Sequence, residues 1–160
     1  MSTVIIRKAT QSDLEPLEKL RAEVSEYHRN EKSEIFKKLP PGVLREQILS
    51  YINGKDAVTC VAEEAKSLIG FVQVKAEEVP ENAFQKTLKH GLINSLGVAS
   101  RLRRGGIGSL LMESAENWIR DQGLTRAILN VWEFNEPAIG FYQGRGYLTY
   151  SRKMTLDLKA

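Results

Sequence analysis

The order of hydrophobic and polar residues along the chain predicts strands and helices that follow one another closely. An apolar run over residues 4–6 predicts a first strand. Apolar residues then recur at helical spacing over residues 14–27, and Ser12 and Glu15 ahead of them form a capping-box pattern. Residues 31–41 are charged and end in Pro-Pro, which predicts a loop after this first helix.

The rest of the chain changes its hydrophobic period several times. The pattern predicts a helix over 43–52, a β-hairpin over 56–64 and 67–79, a strand over 90–100, a helix from 106 to 123, a strand over 125–134, a short helix with Asn135 as its N-cap, and a final strand or pair of strands over 147–158. Helices interleaved with strands around a central hairpin predict an α/β fold whose mixed sheet carries helices on both faces.

Length and composition limit the classes of protein. The 160 residues suit one domain over 1–160, and 42% hydrophobic with 27% charged residues is typical of a globular chain. The net charge of +3 is too small to indicate nucleic-acid or membrane binding. Cys60 is the single cysteine, which excludes an intramolecular disulfide and a cysteine-based zinc site, and its apolar strand predicts a buried side chain. We expect no metal. We also expect a cytoplasmic protein, because neither a signal peptide nor a membrane-spanning run is recognisable.

Residues 101–111, RLRRGGIGSLL, combine arginines, glycines and the start of an apolar helix directly after a strand. The first amides of a helix have no intrahelical partner and its dipole favours an anion, so this turn predicts a phosphate or pyrophosphate site. The P-loop pattern is absent, and the dinucleotide fingerprint would need Gly or Ala at the position of Leu111. Nucleic-acid phosphate is a weaker alternative, because no aromatic stacking platform or further basic stripe accompanies the arginines.

A third phosphate-binding pattern fits this turn. Arg103, Gly106 and Gly108 match Gln/Arg-x-x-Gly-x-Gly/Ala, and INSLGVASRLRRGGIGSLLMESAENW resembles the cofactor-binding core of the GNAT family of N-acetyltransferases. LNVWEFNEPAIGFYQGRGY resembles the second signature of that family. The resemblance implies a mostly antiparallel sheet with splayed central parallel strands, and acetyl-CoA between the strand ending at Val98 and the strand through Val131.

The resemblance also implies roles for particular residues. Backbone groups of Leu96, Gly97 and Val98 would pair with the pantetheine arm of the cofactor. The pyrophosphate would be held by the segment formed by Arg103, Arg104, Gly105, Gly106, Ile107 and Gly108. Asn135 resembles an asparagine that contacts the cofactor arm, with a plain N-cap as its structural alternative. Tyr142 resembles the tyrosine that protonates the departing thiolate, with a core aromatic as its alternative.

The implied chemistry is direct attack of a neutral amine on the thioester, which needs a base to remove a proton. Many relatives carry acidic residues before the Leu-x-Val segment, whereas this chain has Asn94 and Ser95, and neither is a base. The remaining candidates are Glu133, His28, His90, or a water relay through Asn94 and Ser95. For His90 we expect an exposed surface side chain, and a solvated carboxylate is the alternative for Glu133. The candidates for binding the acceptor are Tyr27, His28, Asn94 and Glu133.

The sequence therefore predicts an acetyl-CoA-dependent N-acetyltransferase that acts on the primary amine of a small molecule or peptide N-terminus. The missing acid keeps a non-catalytic CoA-binding module of the same fold as an alternative, and the arginines keep a nucleic-acid binder as a weaker one. We expect no nucleic acid, membrane or metal as a partner. The identity of the acceptor stays open, as does the oligomeric state, for which a homodimer is one option.

Overall fold

The computed structural model describes residues 3–158, and the chain divides into two compact units whose described parts are residues 3–130 and 131–158. The first unit contains, in chain order, β1 (Ile5–Lys8), a 3-10 turn (Gln11–Asp13), α1 (Leu14–Glu31), α2 (Val43–Asn53), β2 (Ala57–Glu64), β3 (Ser67–Val79), β4 (Leu88–Val98), a second 3-10 turn (Ser100–Leu102), α3 (Ile107–Asp121) and β5 (Ala127–Leu129). The second unit contains α4 (Glu136–Gly144). The single-domain interpretation stays a prediction.

The strands of the first unit form one mixed sheet in the order β1-β2-β3-β4-β5. All neighbouring pairs are antiparallel except β4 and β5, which are parallel. The predicted hairpin is the β2–β3 pair, in which Val61 lies opposite Phe71. The predicted α/β fold with a mostly antiparallel sheet is confirmed.

Helices cover both faces of this sheet. Successive residues of a strand point to opposite sides, so each strand contributes side chains to both faces. Phe71 belongs to a buried cluster with leucines of α1 and Ile48 of α2, so this side is called the α1/α2 face. Its neighbour Gly70 points the other way, where an added Cβ would lie 2.9 Å from Leu111 of α3. Burial of apolar surface on both sides is the main stabilising contribution to this unit.

The entry into α1 differs from the predicted cap. Ser12 and Glu15 do not form it; instead the carboxylate of Asp13 accepts a hydrogen bond from the Thr10 amide at 2.8 Å. Arg7 of β1 holds Asp13 in place with two hydrogen bonds of 2.8 Å, while Glu15 pairs with Lys19 on the surface. The Arg7 guanidinium lowers the pKa of Asp13 to about 2.

Two strands predicted near the C-terminus are shorter or absent. The strand expected over 125–134 is limited to the three residues of β5, and residues 147–158 form neither a helix nor a strand. Leu148 in that segment is 89% exposed. An alternating pattern becomes a strand only when its backbone groups find a partner strand. Among the described residues no strand pairs with 147–158, so this prediction was wrong.

Cys60 is buried in β2. Burial raises the pKa of its thiol, as expected for a core cysteine, and the prediction of a buried side chain is confirmed. In the described chain no three side chains of the metal-binding types come together into a group that could hold an ion. No helix within residues 3–158 is both long and apolar enough to span a bilayer.

Candidate active site

The turn over residues 103–108, called the cradle, connects the sheet to α3. Gly106 is the N-cap of α3 and Ile107 its first residue. Within residues 3–158, no acceptor is hydrogen-bonded to the amides of Gly106, Ile107 or Gly108, whereas the next two amides both donate to the Gly106 carbonyl. Three consecutive amides at the positive end of the α3 dipole are therefore available to an anion, as the sequence predicts.

The backbone of the cradle depends on left-handed conformations. Gly106 has φ of +80°, and a Cβ added there would meet no atom within 4 Å. Arg104, with φ of +68°, adopts a conformation that side-chain-bearing residues rarely use. The side chains of Arg103 and Arg104 are exposed, and Nε of Arg103 donates to the Val98 carbonyl at 3.3 Å. The cradle is thus open to solvent, positively charged and tied to the end of β4.

The C-terminal part of β4 has one edge without a partner strand in the described residues. β4 pairs with β5 only from Gly91↔Ala127 to Ile93↔Leu129, although β4 continues to Val98. Residues 94–98 are called the free edge, and Ser95 to Val98 remain paired with β3 on the other side. A free edge presents unpaired N–H and C=O groups to which an extended ligand can add as another strand. Leu96, Gly97 and Val98, predicted to hold the cofactor arm, lie on it.

A β-bulge marks the start of the free edge. Gln73 pairs with Ser95 and Val74 pairs with Ile93, so Asn94 is the extra residue in β4. Asn94 is exposed, whereas Ser95 is buried opposite Gln73 on the α1/α2 face. Nothing in the sequence pattern predicts this bulge, which separates the doubly paired part of β4 from its free edge.

Gly97 is required by close packing. A Cβ added to it would lie 2.5 Å from Cε1 of Phe71 and 2.9 Å from Cγ2 of Val24, both closer than real Cβ contacts. The absence of a side chain therefore lets α1 pack closely against the free edge. Beyond β4, the Ala99 amide donates to the Ile69 carbonyl at 2.9 Å and holds the strand end in place.

Two predicted site residues lie in the second unit, on or next to α4. The side chain of Asn135 accepts a hydrogen bond from the Ala138 amide at 3.3 Å, which confirms its predicted N-cap role. The Tyr142 ring packs edge-on against Phe141 and lies 5.9 Å from the Tyr147 ring centroid. Burial raises the pKa of Tyr142 to about 12, so its hydroxyl is protonated at neutral pH. Their roles toward the cofactor stay predictions.

His28 is the candidate base whose ring is oriented by its own helix. Its Nδ1 lies 2.8 Å from the Val24 carbonyl, and its ring packs edge-on against Tyr27 and Phe36. Because a carbonyl oxygen can only accept, Nδ1 carries a hydrogen, and in the neutral ring Nε2 holds the lone pair that a base needs. Glu133 is exposed in a turn and not at the end of a strand, because β5 already ends at Leu129.

The prediction of an exposed His90 was wrong. The residue is 4% exposed and lies opposite Glu77 in the β3–β4 register, with Nε2 3.3 Å from a Glu77 carboxylate oxygen. Lys75 pairs with the same carboxylate at 2.6 Å and lowers the pKa of Glu77. His90 is buried because β3 and β4 pair along their length. The local sequence around residue 90 does not reveal that pairing.

Sequence reasoning missed a polar group on the α1/α2 face. Nε of Arg21 in α1 donates to Oε1 of Gln73 at 3.1 Å, and Nε2 of Gln73 donates to Oγ1 of Thr59 at 3.4 Å. Gln73 is 1% exposed. A signal was present, because Arg21 occupies the apolar stripe between Leu17 and Val24, and Gln73 interrupts an apolar strand.

A strand with a free edge that leads into unpaired amides at a helix N-terminus defines a class of site. It suits a long ligand with an extended amide-containing arm at one end and phosphates at the other. The sequence model of the Acetyltransferase (GNAT) family matches residues 18–147. The chain therefore belongs to this family.

Individual relatives agree with the family assignment. A mycothiol acetyltransferase of Salinispora tropica is 32% identical over 97 residues, which are 60% of this chain. These residues span about 30% of the length of that curated relative. The structure of a tetramutant of the BH1408 protein from Bacillus halodurans is 26% identical, with a TM-score of 0.89 over 96% of this chain and 99% of that one.

An aminoglycoside N-acetyltransferase, AAC(6')-Iy in complex with CoA, shares the fold. Its TM-score is 0.80 at 15% identity, covering 100% of this chain and 97% of that one. At this level of identity the likeness concerns the arrangement of strands and helices and does not extend to the acceptor.

Proposed function

We propose that this chain transfers the acetyl group of acetyl-CoA to the primary amine of a small molecule, by direct attack of the neutral amine on the thioester. The observation that carries the proposal is the continuity of the free edge with the cradle. Residues 94–98 offer strand-pairing groups, and ten residues after Val98 the Gly108 amide completes the anion site. Both ends of one long ligand would thus be held by a single chain segment.

The residues present fit such a donor. The Gly106 amide is unobstructed, because no side chain stands there and no atom lies within 4 Å of an added Cβ. The cradle from Arg103 to Gly108 would hold the pyrophosphate, the free edge at Leu96 to Val98 would pair with the arm, and Asn135 would contact it. When bound, acetyl-CoA supplies an acetyl group activated as a thioester. The protein supplies binding, orientation and proton transfer.

The reaction would need two proton transfers, one from the attacking amine and one to the departing thiolate. Tyr142, with its pKa raised to about 12, keeps its hydroxyl proton at neutral pH and is the proposed donor to the departing thiolate. The proposed base is Nε2 of His28 or a water held by Asn94 and Ser95. Tyr27, His28, Asn94 and Glu133 are the residues proposed to contact the acceptor.

One comparison supports a small acceptor. The relative that is 32% identical carries the name of mycothiol, which is a small molecule and not a peptide. A non-catalytic CoA-binding module remains the alternative, because Asn94 and Ser95 cannot act as a base. Release of free CoA with a panel of amines separates the two, since only a catalyst consumes acetyl-CoA at a rate that depends on the amine.

The binding test is thermal unfolding with and without acetyl-CoA, for the wild type and for Gly106→Glu. At about 100 times its dissociation constant, acetyl-CoA should stabilise the wild type by about 2.7 kcal/mol, or about 5–10 °C for a chain of this size. Gly106→Glu introduces a side chain and a negative charge in front of the free amides, so the shift should disappear.

Gly123→Glu is the matched control, because Gly123 also has a positive φ, +73°, and open space around an added Cβ. It follows the C-terminal end of α3, away from the cradle. The control should lose intrinsic stability through the same backbone strain and still show the acetyl-CoA shift. Equal shifts in Gly106→Glu and the wild type would place the donor elsewhere and contradict the proposal.

A further inference from the structure

Arg21 is a half-buried cation on the α1/α2 face whose hydrogen-bond partners are neutral. Nε donates to Oε1 of Gln73 at 3.1 Å, and Nη2 donates to Oε1 of Gln47 at 3.4 Å. None of the ion pairs formed within residues 3–158 includes Arg21. A guanidinium has five N–H donors, so three remain after these two hydrogen bonds.

The other cations on the helices and strands around Arg21 have acidic partners. Arg45 of α2 pairs with Glu18 of α1 at 3.1 Å, and Lys75 of β3 pairs with Glu77 at 2.6 Å. Desolvation lowers the pKa of Arg21, and the largest opposing electrostatic influence comes from Tyr51 and not from a carboxylate. A desolvated charge without a counter-ion is unfavourable, and an anion that binds beside it removes this cost.

The position of Arg21 connects it to the proposed reaction. Its partner Gln73 lies directly opposite Ser95, the first residue after the bulge in β4. Ser95 is also the buried residue next to Leu96, where the proposed contact with the acetyl donor begins. The chain of Arg21, Gln73 and Ser95 therefore extends across the α1/α2 face to the start of the free edge.

We propose that Arg21 is the counter-ion for an anionic group of the acceptor, so that the acceptor is an amine that also carries a carboxylate or a phosphate. This inference rests on the proposed function, because it places the acceptor beside the free edge. Guanidinium groups bind both anions through two parallel hydrogen bonds, and the structure favours neither source. Gln73 and Gln47 hold the side chain in place and leave donors for the ligand.

The test compares pairs of amines in which one member carries the anion: amino acids with their amides, and O-phosphoethanolamine with ethanolamine. The value of kcat/KM is measured at a fixed acetyl-CoA concentration and expressed per neutral amine, because the anion also changes the pKa of the amine. For the better of the two anions, the wild type should prefer the charged member by about tenfold to a hundredfold. Arg21→Gln should reduce this ratio to near one. Arg21→Lys should keep part of it, because it retains the charge and loses the planar fork.

Arg45→Gln is the control variant, since it removes one positive charge from the neighbouring α2 at an exposed position. It should keep the wild-type ratio. A preference for the carboxylate identifies an amino-acid-like acceptor, and one for the phosphate identifies a phosphorylated amine. A ratio near one for both anions in the wild type, or a ratio unchanged in Arg21→Gln, overturns the inference.

A second readout is independent of acetyl transfer. Thermal unfolding is measured without acetyl-CoA in the presence of the same paired amines. Stabilisation by the anionic members that is present in Arg45→Gln and lost in Arg21→Gln supports the counter-ion role even if no amine is acetylated. Failure of the proposed function therefore appears as binding without turnover. If neither unfolding nor turnover responds to the anion, the inference is wrong. Arg21→Lys is used for both readouts if Arg21→Gln does not fold.

Discussion

Replacing Gly97 by alanine should perturb the free edge directly. The new Cβ would lie 2.5 Å from Cε1 of Phe71, 2.9 Å from Cγ2 of Val24 and 3.1 Å from Cζ of Phe71. Phe71 is 1% exposed and belongs to the cluster with α1, so its ring has little room to move away. The strain must therefore be relieved by moving β4, α1 or both.

Inserting one methyl group into a close-packed site typically costs about 1–3 kcal/mol. A loss of about 2 kcal/mol lowers the melting temperature of a chain of this size by about 4–8 °C. Because the strain falls on the free edge, the affinity for acetyl-CoA should fall as well. The assays are urea unfolding for the free energy and isothermal titration calorimetry for the dissociation constant.

Gly140→Ala is the matched control for this prediction. Gly140 lies within α4, and an added Cβ meets no atom within 4 Å. Alanine in a helix interior is favoured over glycine by about 0.5–1 kcal/mol, so the control should gain stability. If Gly97→Ala matched the wild type in stability and in acetyl-CoA affinity, the packing of α1 on the free edge would be refuted.

Two further predictions concern titratable groups. Tyr142→Phe should lower kcat by about a hundredfold with acetyl-CoA affinity unchanged, and an unchanged kcat in steady-state assays would remove Tyr142 from the mechanism. With its pKa raised to about 12, Tyr142 should cause no loss of activity below about pH 11 in the wild type. Asp13→Asn should cost about 1–2 kcal/mol at pH 7 and little at pH 2. In the folded state Asp13 has a pKa of about 2, below its ordinary value of 3.8. The stabilisation by its ion pair is therefore complete above about pH 4 and is lost as the pH falls toward 2. Urea unfolding of both proteins at pH 7 and pH 2 measures this difference.

Features that depend on local pattern could be predicted from the sequence. The stripe of α3 and the glycines before it are encoded within about 20 residues, so both the helix and the unpaired amides of the cradle follow from nearest neighbours. The N-cap at Asn135 is local in the same sense, because its acceptor and donor are three residues apart.

Features that depend on pairing between distant segments could not be predicted. The bulge at Asn94 exists only in relation to β3, whose partners lie about 20 residues away. Burial of His90 depends on the same pairing, and the inward position of Arg21 depends on Gln73, 52 residues later. The alternating pattern over 147–158 favoured a strand by itself, yet a strand also needs a partner that the local sequence does not identify.

The position of the bulge decides what β4 can do. From Gly91 to Ile93 both edges of the strand are occupied by neighbours, and from Ser95 to Val98 only the edge beside β3 is. The free edge from 94 to 98 covers four residue steps, or about 13 Å at about 3.3 Å per residue. The 3-10 turn over Ser100–Leu102 connects it to the cradle, where the three amides without an acceptor lie. The segment from Asn94 to Gly108 therefore sets the distance between the proposed site of strand pairing and the proposed phosphate site. An insertion within this segment would change that distance. The sheet and α3 would keep their packing, because it does not depend on the length of the segment.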